Sequence, residues 1–236
     1  MTSGVHGKTI LITGAFGSLG SATALAAAKA GARVALIDQA TEPLTGLMEA
    51  CGPDAIAIGG VNLTCAPDAT AVVESAHQRL RSLDVLINIA GTFRWQTVAD
   101  GDPGTWDLMF AINLKTAVNS SRAALPFLRQ SRAGRIINIG ANAATKATSG
   151  MGTYAASKAG VHRLTESLAE ELKGDRITVN AVLPSVIDTA TNRTDMPDAN
   201  HSSWVTPAAR AAVILFLASD DAQPITGALL PVTGLT

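Results

Sequence analysis

The sequence is poor in cysteine, in net charge and in long apolar runs. Its two cysteines, Cys51 and Cys65, are too few for a disulfide scaffold and lack the spacing of metal ligands. A formal net charge of -1 gives no electrostatic basis for binding nucleic acid or an acidic membrane surface. No apolar run reaches the ~18 residues of a membrane span, and residues 1–8 lack the apolar core of a signal peptide. We therefore expect a soluble, cytoplasmic protein with no metal, nucleic-acid or membrane partner.

Aromatic and charged residues are also scarce, at 4% and 16%, whereas hydrophobic residues make up 47%. High apolar content with little charge is typical of a globular chain and excludes disorder. The 236 residues suit one domain, spanning residues 1–236, that is large enough to bury a substantial core.

Segments typical of buried strands alternate with segments typical of helices. The strands are predicted at 8–12, 32–37, 55–61, 84–87, 135–139, 177–182 and 228–232, and the helices at 21–30, 41–50, 67–80, 106–129, about 150–173 and 207–219. Because crossovers between parallel strands are right-handed, this order predicts an α/β fold, a doubly wound parallel sheet of about seven strands with helices on both faces. Ligands then bind beyond the carboxyl ends of the strands. Residues 189–205, which are polar and irregular, are the candidate substrate loop.

A glycine-rich turn joins the first strand to the first helix. Glycines let the backbone approach a pyrophosphate, and the helix N-terminus supplies free N–H groups. The predicted binding residues are Gly14, Phe16, Gly17, Ser18, Leu19 and Gly20. Asp38 ends the second strand 18 residues after Gly20, close to the ~20 expected for a group that bonds the adenosine ribose. Its carboxylate would repel a 2′-phosphate, so the sequence predicts NAD(H) in preference to NADP(H); Arg33 is expected at the opposite end of that strand.

The only tyrosine of the chain, Tyr154, precedes Lys158 by four residues. On a helix this spacing places both side chains on one face. An ammonium near a phenol favours the phenolate, so we predict a tyrosine pKa below the usual value of about 10 and a role in proton transfer near neutral pH.

Taken in order, these motifs resemble the short-chain dehydrogenase/reductase family over almost the whole chain. The resemblance rests on the Thr13–Gly20 turn, Asn88-x-Ala90-Gly91, Asn113, Tyr154-x-x-x-Lys158 and Val179-Asn180-Ala181-Val182-x-Pro184. It implies a single-domain Rossmann-type enzyme that moves hydride between a nicotinamide and a small-molecule substrate, a carbonyl or carbinol. Tyr154 would exchange the proton, Lys158 would lower its pKa and hold the nicotinamide ribose, and Asn113 would anchor a water chain at a break in its helix. The further cofactor contacts implied are Asn62, Leu63, Asn88, Ala90, Gly91, Pro184, Ile187 and Thr189.

The chain departs from the family pattern at Ser18, Asn62, Ile89, Ser185 and Ala141. Ala141 occupies the place of the catalytic serine, which normally donates a hydrogen bond to the substrate oxygen. Alanine cannot donate, and Asn142 could substitute. The candidate substrate residues are Ala141, Asn142 and Trp204.

Residues 140–205 also resemble dihydropteridine reductases, through Gly150-Met151, Tyr154, Lys158, Val161-His162, Asp188-Thr189, Asn192-Arg193 and Ser203-Trp204. That branch lacks the serine and prefers NADH, which implies a conjugated, quinonoid substrate as an alternative. A non-catalytic dinucleotide-binding sensor or scaffold is the alternative of another class. We expect His162 on the helix surface or in an interface, and Asp188 could pair with Arg193 to order the loop.

The family resemblance also implies a homotetramer, or a homodimer, assembled through the helices at 106–129 and 150–173. The sequence offers two alanine-rich faces for this contact: Ala117, Ala123 and Ala124 on the first helix, and Ala155, Ala159 and Ala169 on the second.

Overall fold

The computed structural model describes residues 4–234, so residues 1–3 and 235–236 of the predicted domain lie outside the described residues. It contains one seven-stranded parallel sheet in the order β3-β2-β1-β4-β5-β6-β7. The strands are β1 (Thr9–Thr13), β2 (Arg33–Ile37), β3 (Ile56–Ile58), β4 (Val85–Asn88), β5 (Arg135–Ile139), β6 (Thr178–Pro184) and β7 (Leu229–Val232). The predicted fold class is confirmed.

Eight α-helices surround the sheet within residues 4–234. They are α1 (Ser18–Lys29), α2 (Leu47–Cys51), α3 (Ala66–Leu80), α4 (Gly104–Phe110), α5 (Thr116–Leu128), α6 (Gly152–Glu171), α7 (Ala190–Asp195) and α8 (Pro207–Ala218). The helix expected at 41–50 is reduced to α2, because Gly46 adopts a left-handed conformation (φ 78°) directly before it.

Alternation along the central strand explains why the sheet carries helices on both faces. Successive side chains of a strand point to opposite faces. Ile10 and Ile12 of β1 belong to one core with α1 and α8. Leu11 between them belongs to a second core with α3, α5 and α6. Each face of the sheet is therefore apolar and needs its own layer of helices.

The helix predicted at 106–129 contains a break. Between α4 and α5, residues Ala111–Lys115 form a π-helical turn that includes Asn113. Such turns are rare and occur frequently at functional sites. The structure thus contains the break that the family resemblance implied.

The candidate substrate loop is less irregular than predicted. It contains α7 and a 3₁₀ turn at His201–Ser203. The Thr189 hydroxyl caps α7 by accepting from Asn192 N, and Arg193 bonds both carboxylate oxygens of Asp188 at 2.6 and 3.0 Å. The predicted pairing of Asp188 with Arg193 is therefore present. Within residues 4–234, no helix is both long enough and apolar enough to cross a membrane.

Candidate active site

A cavity of about 780 Å³ opens at the carboxyl edge of the sheet. It lies at the end of β1, which has β2 on one side and β4 on the other. The strand order reverses here, so the connections that follow β1 and β4 run in opposite directions along the sheet. This point of an open α/β sheet is where ligands bind. Of the predicted cofactor residues, it gathers Gly14, Phe16, Gly17, Ser18, Leu19, Gly20, Asp38, Asn62, Leu63, Ala90, Gly91, Tyr154, Lys158, Pro184 and Ile187.

The glycine-rich turn fits a phosphate-bearing ligand. Gly14 has φ +63°, and a Cβ there would lie 2.7 Å from Ala90 N, so only glycine is accommodated. A Cβ on Gly20 would overlap the carbonyl oxygen of Gly14. Gly17, the N-cap of α1, provides no side-chain cap for the first turn of that helix. The amide groups of Ser18 and Leu19, in the first turn of α1, therefore remain available to a phosphate.

Thr13 fixes the turn relative to the neighbouring strand. Its hydroxyl accepts from both Ile89 N (3.1 Å) and Ala90 N (3.2 Å), just beyond the end of β4. The sequence includes Thr13 in the motif but gives no sign of this contact, because it joins residues 76 and 77 positions apart.

Acidic side chains line the far end of the cavity. Asp38 accepts hydrogen bonds from Phe16 N (2.9 Å) and Ala40 N (3.0 Å), and Glu42 lies on the same wall. Among the described residues that line the cavity, Lys158 is the only lysine or arginine. Arg33 lies at the opposite end of β2, as predicted, where it donates to Leu80 O and the Ser82 hydroxyl.

Burial governs the ionisation of the tyrosine and lysine pair. It raises the pKa of Tyr154 to about 12 and lowers the pKa of Lys158 to about 8. The Lys158 ammonium donates to Ile139 O at 2.7 Å. The prediction of a lowered tyrosine pKa is therefore wrong for this structure, because desolvation of the phenol raises the pKa. A neutral phenol and a lysine that titrates near pH 8 result.

Asn113 links the π-helical turn to the start of α6. Its Oδ1 accepts from Thr92 N at 2.7 Å, and its Nδ2 donates to the Ser157 hydroxyl at 2.9 Å. Ser157 in turn donates to Tyr154 O at 2.8 Å. The residue therefore holds the backbone of the tyrosine turn against the loop after β4. Ser157 was not a predicted site residue, although its position directly before Lys158 in the motif is a usable signal.

Six predicted site residues do not line the cavity: Asn113, whose contacts are given above, and the five that follow. Asn88 is buried and donates to Ser121 Oγ and Asn138 Oδ1, and Thr189 caps α7. Ala141 is 3% exposed, Asn142 is exposed, and Trp204 contacts the His201 ring with centroids 4.6 Å apart. Their roles toward cofactor or substrate stay predictions.

His162 was expected on the helix surface or in an interface, and the structure buries it within the single chain. It is 4% exposed, and its Nε2 accepts from Ala141 N at 3.4 Å. A Cβ on Gly140 would lie 2.6 Å from the same nitrogen. Burial lowers the pKa of His162, which favours the neutral ring. The helix face that carries Lys158 thus continues into the core beneath the position of the missing serine.

Phe93 is a cavity residue that the sequence analysis missed. Its ring meets the Tyr154 ring edge-on, with centroids 5.0 Å apart, and it is 47% exposed. The following segment is tied to the start of α6 by Gln96 N donating to Gly150 O at 2.9 Å. Its position two residues after Gly91, in the loop that follows a strand end, is the signal that could have identified it.

Comparison with known proteins identifies the family. The family model described as short chain dehydrogenase matches residues 8–200. The chain is 34% identical over 241 positions to a 3-oxoacyl-[acyl-carrier-protein] reductase of Thermotoga maritima, covering 98% of each chain. It is 33% identical to 2-(S)-hydroxypropyl-CoM dehydrogenase 3 of Xanthobacter autotrophicus, covering 99% of this chain and 98% of that one.

Solved structures agree with this assignment. Carveol dehydrogenase of Mycobacterium avium in complex with NAD superposes with a TM-score of 0.88 at 26% identity, covering 98% of both chains. A 3-ketoacyl-(acyl-carrier-protein) reductase of Brucella melitensis complexed with NADH gives a TM-score of 0.87 at 26% identity, also over 98% of both chains. The chain therefore belongs to the short-chain dehydrogenase/reductase family and is an oxidoreductase that transfers hydride.

Proposed function

We propose that the chain is an NAD(H)-dependent oxidoreductase that interconverts a small carbonyl compound and its alcohol. The observation that carries this proposal is the placement of Tyr154 and Lys158 at one end of a cavity whose other end has a glycine-rich turn and Asp38. The names of the two relatives, a 3-oxoacyl-[acyl-carrier-protein] reductase and a hydroxypropyl-CoM dehydrogenase, fit a carbonyl or an alcohol as substrate.

The residues present fit a dinucleotide. The amides of Ser18 and Leu19 would hold the pyrophosphate, Asp38 the adenosine ribose and Lys158 the nicotinamide ribose. Pro184 and Ile187 line the same cavity as Tyr154, and Thr189 follows them in the chain as the proposed contact to the carboxamide. The bound nicotinamide would supply the hydride in reduction or accept it in oxidation.

The neutral phenol of Tyr154 is the group that would move the proton. With a pKa of about 12 it is protonated at neutral pH, so it can donate to a substrate oxygen as that oxygen gains charge during reduction. In the oxidation direction it must first lose its proton, which the nearby ammonium of Lys158 would favour. Asn113 and Ser157 keep the tyrosine turn in place during either step.

The preference for NAD(H) over NADP(H) follows from the acidic wall. Asp38 and Glu42 would face a 2′-phosphate with like charge, and the described cavity lining near them holds no cation. The proposed preference is at least ~10-fold in affinity, about 1.4 kcal/mol.

The experiment that tests the function is NADH oxidation over a panel of ketones, quinones and quinonoid pterins. We expect turnover with at least one class. Binding of NADH without turnover of any compound would contradict the proposal and would favour a dinucleotide-binding sensor.

A second candidate function is reduction of a conjugated, quinonoid ring. Ala141 offers no hydroxyl, and Phe93 presents an aromatic wall against Tyr154. A ring that takes hydride at a conjugated position develops no alkoxide, so an oxyanion donor matters less. Ala141→Ser should raise activity if the substrate is a ketone, and should leave it unchanged or lower it if the substrate is a quinonoid ring.

We further propose a homotetramer or homodimer. Of the predicted alanine contacts, Ala117, Ala124, Ala155 and Ala169 are each less than 9% exposed within the single chain, so they pack internally, whereas Ala123 and Ala159 are partly exposed. The large apolar side chains that α4 and α5 leave exposed are Leu108, Phe110 and Val118, at 42%, 38% and 38%. Light scattering at micromolar concentration should give a multiple of the chain mass, and a monomer mass would contradict this assembly.

A further inference from the structure

Both ends of the candidate substrate loop, residues 189–205, meet at a narrow base. Ile187 and Val205 form an isolated parallel bridge, and Asp188 N donates to Val205 O at 3.2 Å. The loop therefore leaves the body of the protein and returns to it at one point. That point lies next to Pro184, Ser185 and Ile187, which line the cavity.

The guanidinium of Arg210 sits in this base. Arg210 lies near the start of α8 and is 0% exposed. Its Nη1 donates to Val205 O at 2.9 Å, and its Nη2 donates to Val186 O at 2.8 Å and to Ser185 O at 3.3 Å. The acceptors belong to both ends of the loop, so one planar group joins the outgoing and the returning chain.

Burying this cation without a carboxylate is costly. No acidic side chain of the described residues lies within ion-pair distance of Arg210, and its Nε has no hydrogen-bond partner. Burial lowers its pKa to about 10. An apolar side chain would fill the same core position without this cost. What an arginine provides here, and an apolar side chain would not, is hydrogen bonds to the carbonyl groups of Ser185, Val186 and Val205.

Ser185 adds a side-chain contact to the same group. Its hydroxyl accepts from Arg210 Nη2 at 3.3 Å and donates to Thr233 O at 3.2 Å. Ser185 is one of the positions at which the sequence departs from the family pattern, where glycine is usual. The serine hydroxyl at this position accepts from Arg210, and a glycine would give Arg210 one acceptor fewer.

We propose that Arg210 is a positioning residue that clamps both ends of the substrate loop and thereby sets the cavity wall formed by Pro184, Ser185 and Ile187. The expected effect of Arg210 on substrate binding rests on the proposed function, in which residues 189–205 are the loop that covers the substrate. The clamp itself is a property of the chain and can be measured without any substrate.

The test compares Arg210→Met with Arg135→Met. Arg135 is a matched control, because it is 2% exposed, also has an unpaired Nε, and lies at the opposite edge of the sheet. In Arg210→Met we expect hydrogen exchange within residues 188–205 to accelerate at least ~10-fold, and KM for the substrate to rise roughly 10-fold with kcat nearly unchanged. Arg135→Met should lower thermal stability and leave both readouts as in the wild type.

Conservative variants separate the clamp from simple loss of stability. Arg210→Lys keeps the charge and loses the fork, so we expect an intermediate exchange rate and KM. Ser185→Gly removes one acceptor and should accelerate exchange in the same residues by a smaller factor; it carries the test if Arg210→Met does not fold. Equal exchange in residues 188–205 for wild type, Ser185→Gly and Arg210→Lys would overturn the clamp. If the wild type turns over no substrate, the proposed function fails, and the exchange measurements still decide on Arg210.

Discussion

Charged groups have different partners at the two ends of the parallel strands, the amino edge and the carboxyl edge of the sheet. At the amino edge, Lys8 pairs with Asp220 at 2.7 Å, and Asp84 accepts from Thr9 N and the Ser131 hydroxyl at 2.9 and 2.6 Å. At the carboxyl edge, Lys158 donates to a main-chain carbonyl and Asp38 accepts from main-chain amides. Opposite charges meet directly at the first edge, whereas Lys158 and Asp38, which line the cavity at the second, form no ion pair within the described residues.

The charged groups at the amino edge stabilise the fold, whereas those at the carboxyl edge are placed to bind a ligand. A carboxylate bonded to a strand end and a loop holds the fold together. The ammonium form of a buried lysine is disfavoured when no carboxylate lies near it. An anionic or hydroxyl-bearing ligand that accepts a hydrogen bond from the ammonium would offset this cost. Changes at the carboxyl edge should therefore alter kinetics and cofactor binding, whereas changes at the amino edge should alter stability alone.

The largest combined effect on turnover and cofactor binding should come from Lys158→Ala. Its ammonium serves both the tyrosine and the cofactor ribose in the proposed site, so we expect turnover to fall by roughly 10³-fold and NADH affinity to fall with it. Stopped-flow NADH oxidation and fluorescence titration measure the two losses. A variant that loses turnover but binds NADH as tightly as the wild type would show that Lys158 does not hold the cofactor.

The pH dependence of kcat/KM for NADH should test the same role of the Lys158 ammonium. The ammonium of Lys158 is the major form only below its lowered pKa of about 8. Since kcat/KM for NADH reports the free enzyme, it should decline above about pH 8, by up to about tenfold per pH unit. Tyr154, with its raised pKa of about 12, stays protonated in this window. The decline should be absent from the residual activity of Lys158→Ala; its persistence there would assign it to another group.

A smaller effect is expected from Asp38→Ala. Removing the carboxylate should reduce the preference for NADH over NADPH from at least ~10-fold toward equality, a change of about 1.4 kcal/mol. Asp38→Asn is the control, because it removes the charge and keeps an oxygen that can accept from Phe16 N. Should the asparagine variant keep the full preference, charge repulsion is not its cause.

The smallest kinetic effect is expected from Asp84→Ala at the amino edge. Loss of its bonds to Thr9 N and Ser131 should lower the free energy of unfolding by roughly 1–3 kcal/mol. Denaturant titration measures this loss, and kcat and KM should remain those of the wild type below the melting transition. A changed KM would mean that the two edges are coupled and would break the comparison.

The sequence predicts the sheet well because each strand is a short apolar run between turn residues. The five-residue run Arg135–Ile139 coincides with β5, and helix α3 begins one residue before its predicted start. The order of strands and helices then leaves few topologies. Several cavity residues followed from the same logic, since Asp38 comes directly after β2 and Gly91 lies three residues after β4.

Side-chain environments could not be predicted in the same way. The spacing of Tyr154 and Lys158 gives their separation but not their burial, and burial decides the direction of both pKa shifts. His162 was predicted on the surface or in an interface, because one helix sequence does not reveal that its face continues under Gly140. Arg210 bonds residues 24 and 25 positions earlier, a contact that exists only once α8 has packed.

The central claim is that Tyr154 supplies the proton for an NADH-dependent reduction. The most direct test is to compare wild type and Tyr154→Phe in NADH oxidation with the best substrate of the panel, and to measure NADH affinity for both. We predict that turnover falls by roughly 10²–10⁴-fold in the variant while NADH affinity changes little. Full turnover in Tyr154→Phe would contradict the account, because the proton would then come from another group.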